Sequence, residues 1–473
     1  MFVTPMLAAV ASAQTPELDA MGDRDVPDAP RTPTRPQDTE ESTAEPPELV
    51  VAEPEIRVVP APRRRRAPPV REASGSLDVA AAAMVRGGDA PDPYEWFLVP
   101  LAGYSSDIGA AGALLGMLYH YEPGYEPFRD KLQLITLLTH KLVQFHELIW
   151  ERTGLFGQPL RLELGGSFTA TPVGHYCGLG NEVQCDPDVA RMAAQDAGIL
   201  EGEDGYKRFV NRYYRFRVMR PAGRLRLRWE PVEDGAELTL GWETSYSIPG
   251  YFGENDPYEG SLYAQDYPDG ERGFLSELAL GVVLDRRNHE RRASRGYLVA
   301  ANLRGSGKAV GSEWRYAGAN AQVAGYVPLS RNHRLVWATR AVLDLLVGDP
   351  PTTVMGSLGG FWNDTAYGGQ AIGRGIRARR YIGRIKAMAQ TELRWSLFGE
   401  AGEFQGFLAA YGDVGWIGVD WDDWGGSLDR FIPSFGAALG IYWGQSFLLR
   451  FDVGLSPVED YEPQFYLSLR HPY

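Results

Sequence analysis

The end of the chain, residues 447–473, alternates between apolar and polar side chains and stops on an aromatic residue. Successive side chains of a β-strand point to opposite faces, so this pattern gives a strand one apolar and one polar face. Counting back from the last residue, one face carries Tyr473, His471, Leu469, Leu467 and Phe465, and the other carries Tyr466, Ser468 and Arg470. Such a strand is typical of a wall with lipid on one side and a watery lumen on the other.

Similar segments repeat from Pro93 onward, separated by clusters of Gly, Asp, Asn or Pro that predict turns. No run approaches the roughly 18 apolar residues that a membrane-spanning helix needs. An even number of strands returns both chain ends to the periplasmic side. The predicted strands are 95–104, 109–120, 131–141, 144–154, 159–170, 208–231, 235–248, 272–286, 296–305, 313–328, 333–347, 380–398, 404–418, 430–443, 446–456 and 464–473. The sequence therefore predicts an all-β fold, a 16-stranded antiparallel transmembrane β-barrel in a bacterial outer membrane.

The predicted twelfth strand gives the clearest alternation. Its apolar face consists of Ile385, Ala387, Ala389, Thr391, Leu393, Trp395 and Leu397, and its other face of Lys386, Met388, Gln390, Glu392, Arg394 and Ser396. Charged side chains are costly in lipid, so the second face is expected to line the lumen. Composition agrees, because 55 glycines, 24 tyrosines and 12 tryptophans suit tight turns and aromatic girdles. The formal charge of -14 argues against a nucleic-acid partner.

The N-terminal part divides into two segments before the barrel domain of residues 93–473. Residues 1–13 have a short apolar core followed by Ala-Ser-Ala, which predicts a signal peptide. They lack a basic first segment, which indicates that the true translation start lies upstream. Residues 14–92 are rich in Pro, Ala, Glu and Asp and predict a disordered periplasmic arm. The Arg63–Arg66 run within the arm is either a contact for an anionic surface such as lipopolysaccharide or a solvated charge cluster.

Three connections, 171–207, 249–271 and 348–379, are too long to be turns and are expected to be external loops. The first contains Cys177 and Cys185. In an oxidising compartment these two cysteines can close a small disulfide loop, and the alternative is two unpaired thiols.

Enzymatic signatures are missing from the sequence. His146 begins an HExxW segment without the second histidine of a zinc HExxH helix, and no GxSxG turn offers a serine nucleophile. The acidic segment 420–424 does not have the spacing of a calcium-binding EF-hand. We therefore predict no catalytic, metal or cofactor site, and a discontinuous Ser/His pair is the enzymatic alternative.

A motif before the twelfth strand resembles the loop signature of the bacterial surface-antigen barrel superfamily, to which BamA and TamA belong. The matching residues are Arg374-Gly375 and Arg380-Tyr381-Ile382-Gly383-Arg384. Ile376 stands where the family has an aromatic residue. Thr391-Glu392-Leu393, Gly412-Asp413-Val414-Gly415 and the histidine-proline-aromatic ending also match.

The resemblance implies that the sixth external loop folds into the barrel and pins Arg374 to Glu392 and Asp413. The alternation supports this independently, because Glu392 lies on the predicted lumen face and a lumenal carboxylate needs a cationic partner. We call Arg374, Gly375, Glu392 and Asp413 the loop lock. Members that assemble or secrete proteins carry periplasmic POTRA domains, and residues 14–92 are too short and too poor in apolar residues to form one. The resemblance is thus to a member without these domains.

The function expected from this resemblance is assistance in the insertion or translocation of protein or lipid at the outer membrane. An openable seam between the first and last strands would let another strand add at the exposed edge. The expected partners are outer-membrane lipid, lipopolysaccharide, unfolded protein or lipid clients, and a separate periplasmic protein. A passive pore or a surface-displayed structural barrel is the alternative. The predicted seam residues are Trp96, Tyr104, Phe465, Leu467, Leu469 and Tyr473.

Overall fold

Sixteen antiparallel strands form one sheet in which each strand pairs with the next along the chain. The computed structural model describes residues 93–105, 109–125, 128–182, 185–202, 205–232, 235–250, 258–290, 292–360, 364–399, 404–424, 430–443, 447–468 and 471–473. The predicted signal peptide and arm lie outside the described residues. The strands are β1 Tyr94–Ser105, β2 Gly109–His120, β3 Asp130–Thr139, β4 Gln144–Thr153, β5 Leu160–His175, β6 Arg215–Trp229, β7 Glu237–Pro249, β8 Gly273–Asp285, β9 Gly296–Ser306, β10 Arg315–Pro328, β11 Leu335–Asp349, β12 Ile385–Gly399, β13 Phe404–Gly418, β14 Ile432–Trp443, β15 Phe447–Leu455 and β16 Gln464–Ser468. The predicted fold class is confirmed.

The alternation of β12 separates the two faces of the wall as expected. Leu393 and Trp395 are 43 % and 53 % exposed on the outer face, whereas Glu392 and Arg394 are 1 % and 7 % exposed on the lumen face. Outward leucines, tryptophans and valines on most other strands continue this apolar belt. No helix in the described part of the chain is both long and apolar enough to cross a membrane.

The two ends of the barrel differ in their connections. One end carries short turns such as 286–295 and 329–334, and we call it the short-turn end. The other end, which we call the long-loop end, carries loop 3 (176–214), loop 4 (250–272) and loop 6 (350–384). The long loops contain α1 Pro187–Asp196, α2 Tyr206–Arg212, α3 Leu262–Asp266, α4 Thr352–Met355 and a two-residue ribbon of Ser357–Leu358 with Asp364–Thr365. Short 3-10 turns occur at Leu155–Gly157, Lys308–Val310, Trp421–Trp424 and Pro457–Glu459.

The prediction that one strand covers 208–231 was wrong at its start, because α2 occupies Tyr206–Arg212. Tyr206 and Tyr213 are buried and seven positions apart, with Phe209 and Val210 between them half-buried. That spacing is helical, since residues three, four and seven apart share one face of a helix. The helical period of these residues, and not strand alternation, therefore indicates the structure of the segment.

The apolar alternation of 213–230 changes phase at Pro221-Ala222-Gly223, which predicts a bulge there, but the described pairing of β6 has none at these residues. Arg220 to Arg224 pair with β5 in constant register, and the register shift lies in β5 between Thr171 and Gly174. Phe216 and Val218 therefore lie on the lumen face of β6, the same face as the arginines further along the strand. They are apolar because they pack beneath the long loops, beside Tyr176 and Tyr263. A change of environment along one face had looked like a change of register.

The last strand is shorter than the predicted 464–473. β16 ends at Ser468, and residues 471–473 lie inside the barrel, where His471 is 8 % exposed. The expectation that His471 faces lipid was therefore wrong. Strong lumenal partners, described below, draw the chain end inward.

Candidate functional site

Arg374 lies at the tip of loop 6, deep inside the barrel, and is fully buried. Its Nε and Nη2 atoms donate to the two carboxylate oxygens of Asp413 on β13 at 3.0 and 2.8 Å. Its Nη1 atom pairs with Glu392 on β12 and lies 3.4 Å from Asp452 on β15. The guanidinium also lies over the ring of Tyr411, 3.5 Å from its centroid. The structure thus brings together three of the four predicted loop-lock residues through direct side-chain contacts.

The acids around Arg374 are shared with two further arginines. Arg450 on β15 donates to Glu392 at 2.8 Å and to Asp452 at 2.7 Å, and Arg394 on β12 donates to Glu392 at 2.7 Å. Three guanidinium groups therefore face three carboxylates, all but excluded from water. Such a set is stable only when the charges balance and the hydrogen bonds are made, because each isolated charge would carry a large desolvation cost.

Gly375 serves the loop lock through its backbone. A Cβ atom on Gly375 would lie 2.2 Å from the carbonyl oxygen of Leu455, and one on Gly454 would lie 1.9 Å from the carbonyl oxygen of Arg374. Two glycines therefore let loop 6 lie directly against β15. The amides of Gly373 and Arg374 both donate to Asp413, at 3.1 and 3.2 Å, so Asp413 holds the loop backbone as well as the side chain.

Ile376, which replaces the aromatic residue of the family signature, is fully buried. It belongs to an apolar cluster with Tyr367 and Tyr381 of loop 6 and with Met388 and Ile417 of the wall. Tyr466 on β16 donates its hydroxyl to the carbonyl of Ile376 at 3.1 Å. Loop 6 is therefore joined to the last strand of the barrel.

A second polar cluster holds the first half of loop 6. Asp344 on β11 accepts from Lys386 at 2.8 Å and from Arg304 at 2.8 and 3.0 Å, and all three side chains are buried. Arg304 and Asn302 also donate to the carbonyl of Gly359, at 3.2 and 2.7 Å. Loop 6 is thus fixed to both sides of the lumen.

The long loops also bind one another. Tyr176 of loop 3 donates to Asp266 of loop 4 at 2.7 Å, and Glu271 of loop 4 accepts from the amide of Thr352 in loop 6 at 2.8 Å. Burial raises the pKa of the Glu271 carboxyl above its ordinary value, and the hydrogen bonds from Thr352 oppose that rise. The loops form a cover over the long-loop end.

Cys177 and Cys185 of loop 3 are joined as a disulfide, with their Cα atoms 5.2 Å apart. The bridge closes a small loop within the cover. Among the described residues, no group of three or more His, Cys, Asp or Glu is arranged to hold a metal ion.

The predicted seam residues do not all lie at the seam. β1 and β16 are the two ends of the sheet. Leu467 packs on Gly103 of β1, since a Cβ atom there would lie 3.1 Å from Leu467 Cδ2. Trp96 and Tyr104 belong to β1, where they pair with Leu118 and Ala110 of β2. Phe465 of β16 stacks on Phe451 of β15. Leu469 lies outside the described residues.

Tyr473 lies away from the seam, across the lumen. Its hydroxyl donates to the carbonyl of Ala338 on β11 at 3.0 Å, and its ring lies 5.2 Å from the guanidinium carbon of Arg394. Pro472 accepts from Arg340 at 3.1 Å. His471 contacts Arg450 at 3.1 Å and also contacts Tyr442. The chain end, residues 471–473, is therefore bound to four lumenal arginine and tyrosine side chains and one backbone carbonyl.

Sequence reasoning placed Arg394 on the lumen face but did not connect it with Glu392, and it missed Arg450, Asp452 and Tyr411. A signal was present, because Arg450 and Asp452 share one face of β15 and alternate with apolar Leu449, Phe451 and Val453. Two opposite charges at alternate positions of a membrane strand predict lumenal partners. The chain end gave no comparable signal, since its apolar alternation continues past the point where β16 ends.

A sixteen-stranded barrel with an apolar belt and a loop locked in its lumen defines an outer-membrane-type β-barrel with an inward-folded loop. A family profile described as the Omp85 superfamily domain matches residues 206–469, which is more than half of the chain. The chain belongs to the Omp85 superfamily, and the predicted family is confirmed.

Two solved structures share the fold. The BamA of Haemophilus ducreyi lacking POTRA domains 1-3 superposes with a TM-score of 0.50 at 12 % sequence identity, over 81 % of this chain and 74 % of that one. CdiB from Escherichia coli superposes with a TM-score of 0.50 at 15 % identity, over 80 % of this chain and 62 % of that one. The chain thus spans less than two thirds of that CdiB structure. No curated protein sequence matches the chain.

Proposed function

We propose that this protein assists the insertion or translocation of protein or lipid at the outer membrane by opening the seam between β1 and β16. The observation that carries the proposal is the short strand pairing of β16, which pairs with β15 over five of the described residues and forms one end of the sheet. A short strand at a sheet end leaves backbone groups to which an incoming strand can add. The Omp85 superfamily supports the proposal, because its barrels are insertion or secretion proteins of the outer membrane.

The loop lock would keep the lumen closed while the seam opens sideways. Tyr466 connects β16 to Ile376 of loop 6, so a movement of β16 would also move the loop that carries Arg374. We propose that the short-turn end faces the periplasm, where a separate periplasmic protein would deliver unfolded clients, and that the long-loop end faces outward beside lipopolysaccharide.

The rival function is a passive pore or a surface-displayed structural barrel. The disulfide-bridged loop 3 and the cover of interlocked loops favour surface display. The lumen argues against a wide pore, because residues 371–376 of loop 6 are all buried inside it.

A disulfide across the seam distinguishes the two functions. A Cβ atom on Gly103 would lie 3.8 Å from the Cβ atom of Leu467, close to the separation of about 3.8 Å found in disulfides. We would introduce Gly103→Cys and Leu467→Cys into a Cys177→Ser/Cys185→Ser background and place the oxidised protein in lipid vesicles. The measurement is the rate at which an unfolded eight-stranded barrel protein inserts into those vesicles.

An insertion-assisting barrel should speed insertion when the new disulfide is reduced and lose that effect when it is oxidised. Each single-cysteine variant should be insensitive to oxidation. Equal acceleration by the oxidised and reduced forms, or no acceleration by the native chain, would favour the passive barrel.

A further inference from the structure

A cavity of about 750 Å³ lies in the lumen between loop 6 and the short-turn end. Part of its wall is unusually apolar for a barrel lumen, which is ordinarily polar. The apolar side chains come from β2, β3 and β4 and consist of Ala111, Ala113, Leu115, Met117, Ile135, Leu137, Phe145 and Ile149. The outer face of the same strands is already apolar, with Leu134 and Leu138 42 % and 53 % exposed. Spanning a membrane therefore does not require the apolar inner face.

The other part of the wall is basic. Six cationic side chains line the cavity against three acidic ones, although the chain as a whole has a formal charge of -14. The cationic residues are Lys131, Arg224, Arg226, Arg287, Arg292 and Arg340, and the acidic ones are Glu147, Glu163 and Glu290. Lys131, Arg226 and Arg287 are neutralised by Glu151, Glu243 and Asp285, which lie next to the cavity. The positive charge that favours an anionic ligand therefore lies with Arg292 and Arg340.

Arg292 is the cation best placed to receive such a ligand. Arg224, in contrast, is paired with Glu163 at 2.7 Å and Glu147 at 3.1 Å. Within the described residues, the Nη1 atom of Arg292 is buried without a hydrogen-bond partner, and the guanidinium carbon lies 5.8 Å from the ring of Tyr442. A buried donor left without an acceptor is costly, so a ligand oxygen would be strongly favoured there.

The two parts of the wall lie at different depths. Arg292 belongs to the turn between β8 and β9 at the short-turn end, whereas Ala111, Ile135, Leu137 and Phe145 lie toward the long-loop halves of their strands. A ligand with a long apolar tail and an anionic head group would match this arrangement, and the volume is within the range of about 300–1,000 Å³ typical of ligand sites.

We propose that this cavity binds an anionic amphiphile, with its acyl chain against the apolar side chains of β2–β4 and its head group at Arg292. The ligand chemistry is an acyl chain joined to a carboxylate or phosphate. Its source is either a free fatty acid or a membrane phospholipid. The cavity reaches the seam, since Gly103 and Leu467 line it, but a passive barrel could hold the same ligand because binding does not require the seam to open.

Photolabelling tests the proposal with the full chain in micelles of a neutral detergent. The probes are palmitic acid carrying a diazirine on its chain, a phosphatidylglycerol carrying the same labelled chain, and the corresponding palmityl alcohol as the uncharged control. Peptide mass spectrometry then assigns each label to the lumen face or to the outer face of β2–β4. The two faces alternate along the strands, so Ile135 and Leu137 report on the cavity and Leu134 and Leu138 on detergent-facing surface.

We expect at least one anionic probe to label the lumen-facing residues, and the alcohol to label them much less. Labelling by the fatty acid alone or by the phospholipid alone would identify the source. Arg292→Gln should reduce lumen labelling about tenfold, as expected for loss of a hydrogen bond to a charged group. Arg292→Lys should retain it. Arg295→Gln is the matched control, because Arg295 is an exposed arginine of the same turn that does not line the cavity.

Labels confined to the outer face with every probe would overturn the proposal. Equal lumen labelling by the alcohol, or unchanged labelling of the Arg292→Gln variant, would also overturn it, because the anionic head group would then have no role. Outer-face labelling, which should be unaffected by any of the three substitutions, reports whether each variant is folded.

Discussion

Asp413 depends on Arg374 for its charge partner more than Glu392 and Asp452 do. Glu392 retains Arg450 and Arg394 if Arg374 is removed, and Asp452 retains Arg450. The side chain of Asp413 accepts from Arg374, from two loop amides and, at 3.4 Å, from Gln390, and the only cation among these is Arg374. Removal of one partner from a buried ion pair is far more damaging than the pair is stabilising, because the remaining charge stays desolvated.

We therefore expect Arg374→Ala to release loop 6 from the lumen, with a loss of about 3–5 kcal/mol of local stability. Single-channel recordings in a planar bilayer should give small, flickering currents for the native chain and larger currents for the variant. Arg377→Ala is the matched control, because the Arg377 side chain is 44 % exposed and its pairing contributes little. Large, steady currents from both the native chain and Arg374→Ala would show that loop 6 does not obstruct the lumen.

At the scale of elements, loop 6 and β15 fit together only because two glycines face each other. The amide and carbonyl groups of loop 6 pass so close to β15 that even one methyl group on Gly375 would overlap the carbonyl of Leu455. The lock is therefore a matter of backbone shape as well as of charge.

We expect Gly375→Ala to displace the tip of loop 6 and to cost about 1–3 kcal/mol, as overpacking usually does. Trypsin should then cut loop 6 faster, at the arginines between 374 and 384. Gly112→Ala on β2 is the matched control, because a Cβ atom there would meet no atom within 4 Å. Equal digestion of the two variants and the native chain would mean that the loop does not need this close approach.

Much of this architecture could be predicted from the sequence, and the failures have a common physical cause. The alternation in β12 predicts Glu392 on the lumen face, because a charge in lipid is costly whatever the rest of the fold does. The family resemblance adds Asp413. Local periodicity could not reveal where a strand stops when its partners are distant in sequence. Tyr473 is drawn to Ala338 and Arg394 on the far side of the lumen, and no pattern near residue 473 encodes those contacts.

On the scale of the whole molecule, the chain end connects the last strand to the opposite wall. Residues 471–473 contact β11, β12, β14 and β15. β16 is therefore held by this tripeptide beyond its last residue and by the hydrogen bond from Tyr466 to loop 6 at its middle. The position of the seam is therefore set by contacts inside the lumen, in addition to pairing between strands.

Deletion of residues 471–473 should loosen β16 and so reduce the time that Leu467 spends against Gly103. In the Gly103→Cys/Leu467→Cys background described above, the truncated chain should form the seam disulfide more slowly under a mild oxidant than the full chain does. Pro472→Ala is the matched control, because the carbonyl that accepts from Arg340 is retained. If the lumenal contacts of the chain end hold the seam, the deletion slows disulfide formation and Pro472→Ala does not. The reduced truncated barrel should then also insert clients faster than the reduced full chain. Disulfide formation at the same rate in both chains would leave strand pairing as the sole determinant of seam closure, and the inward-bound chain end would then serve only to fill the lumen.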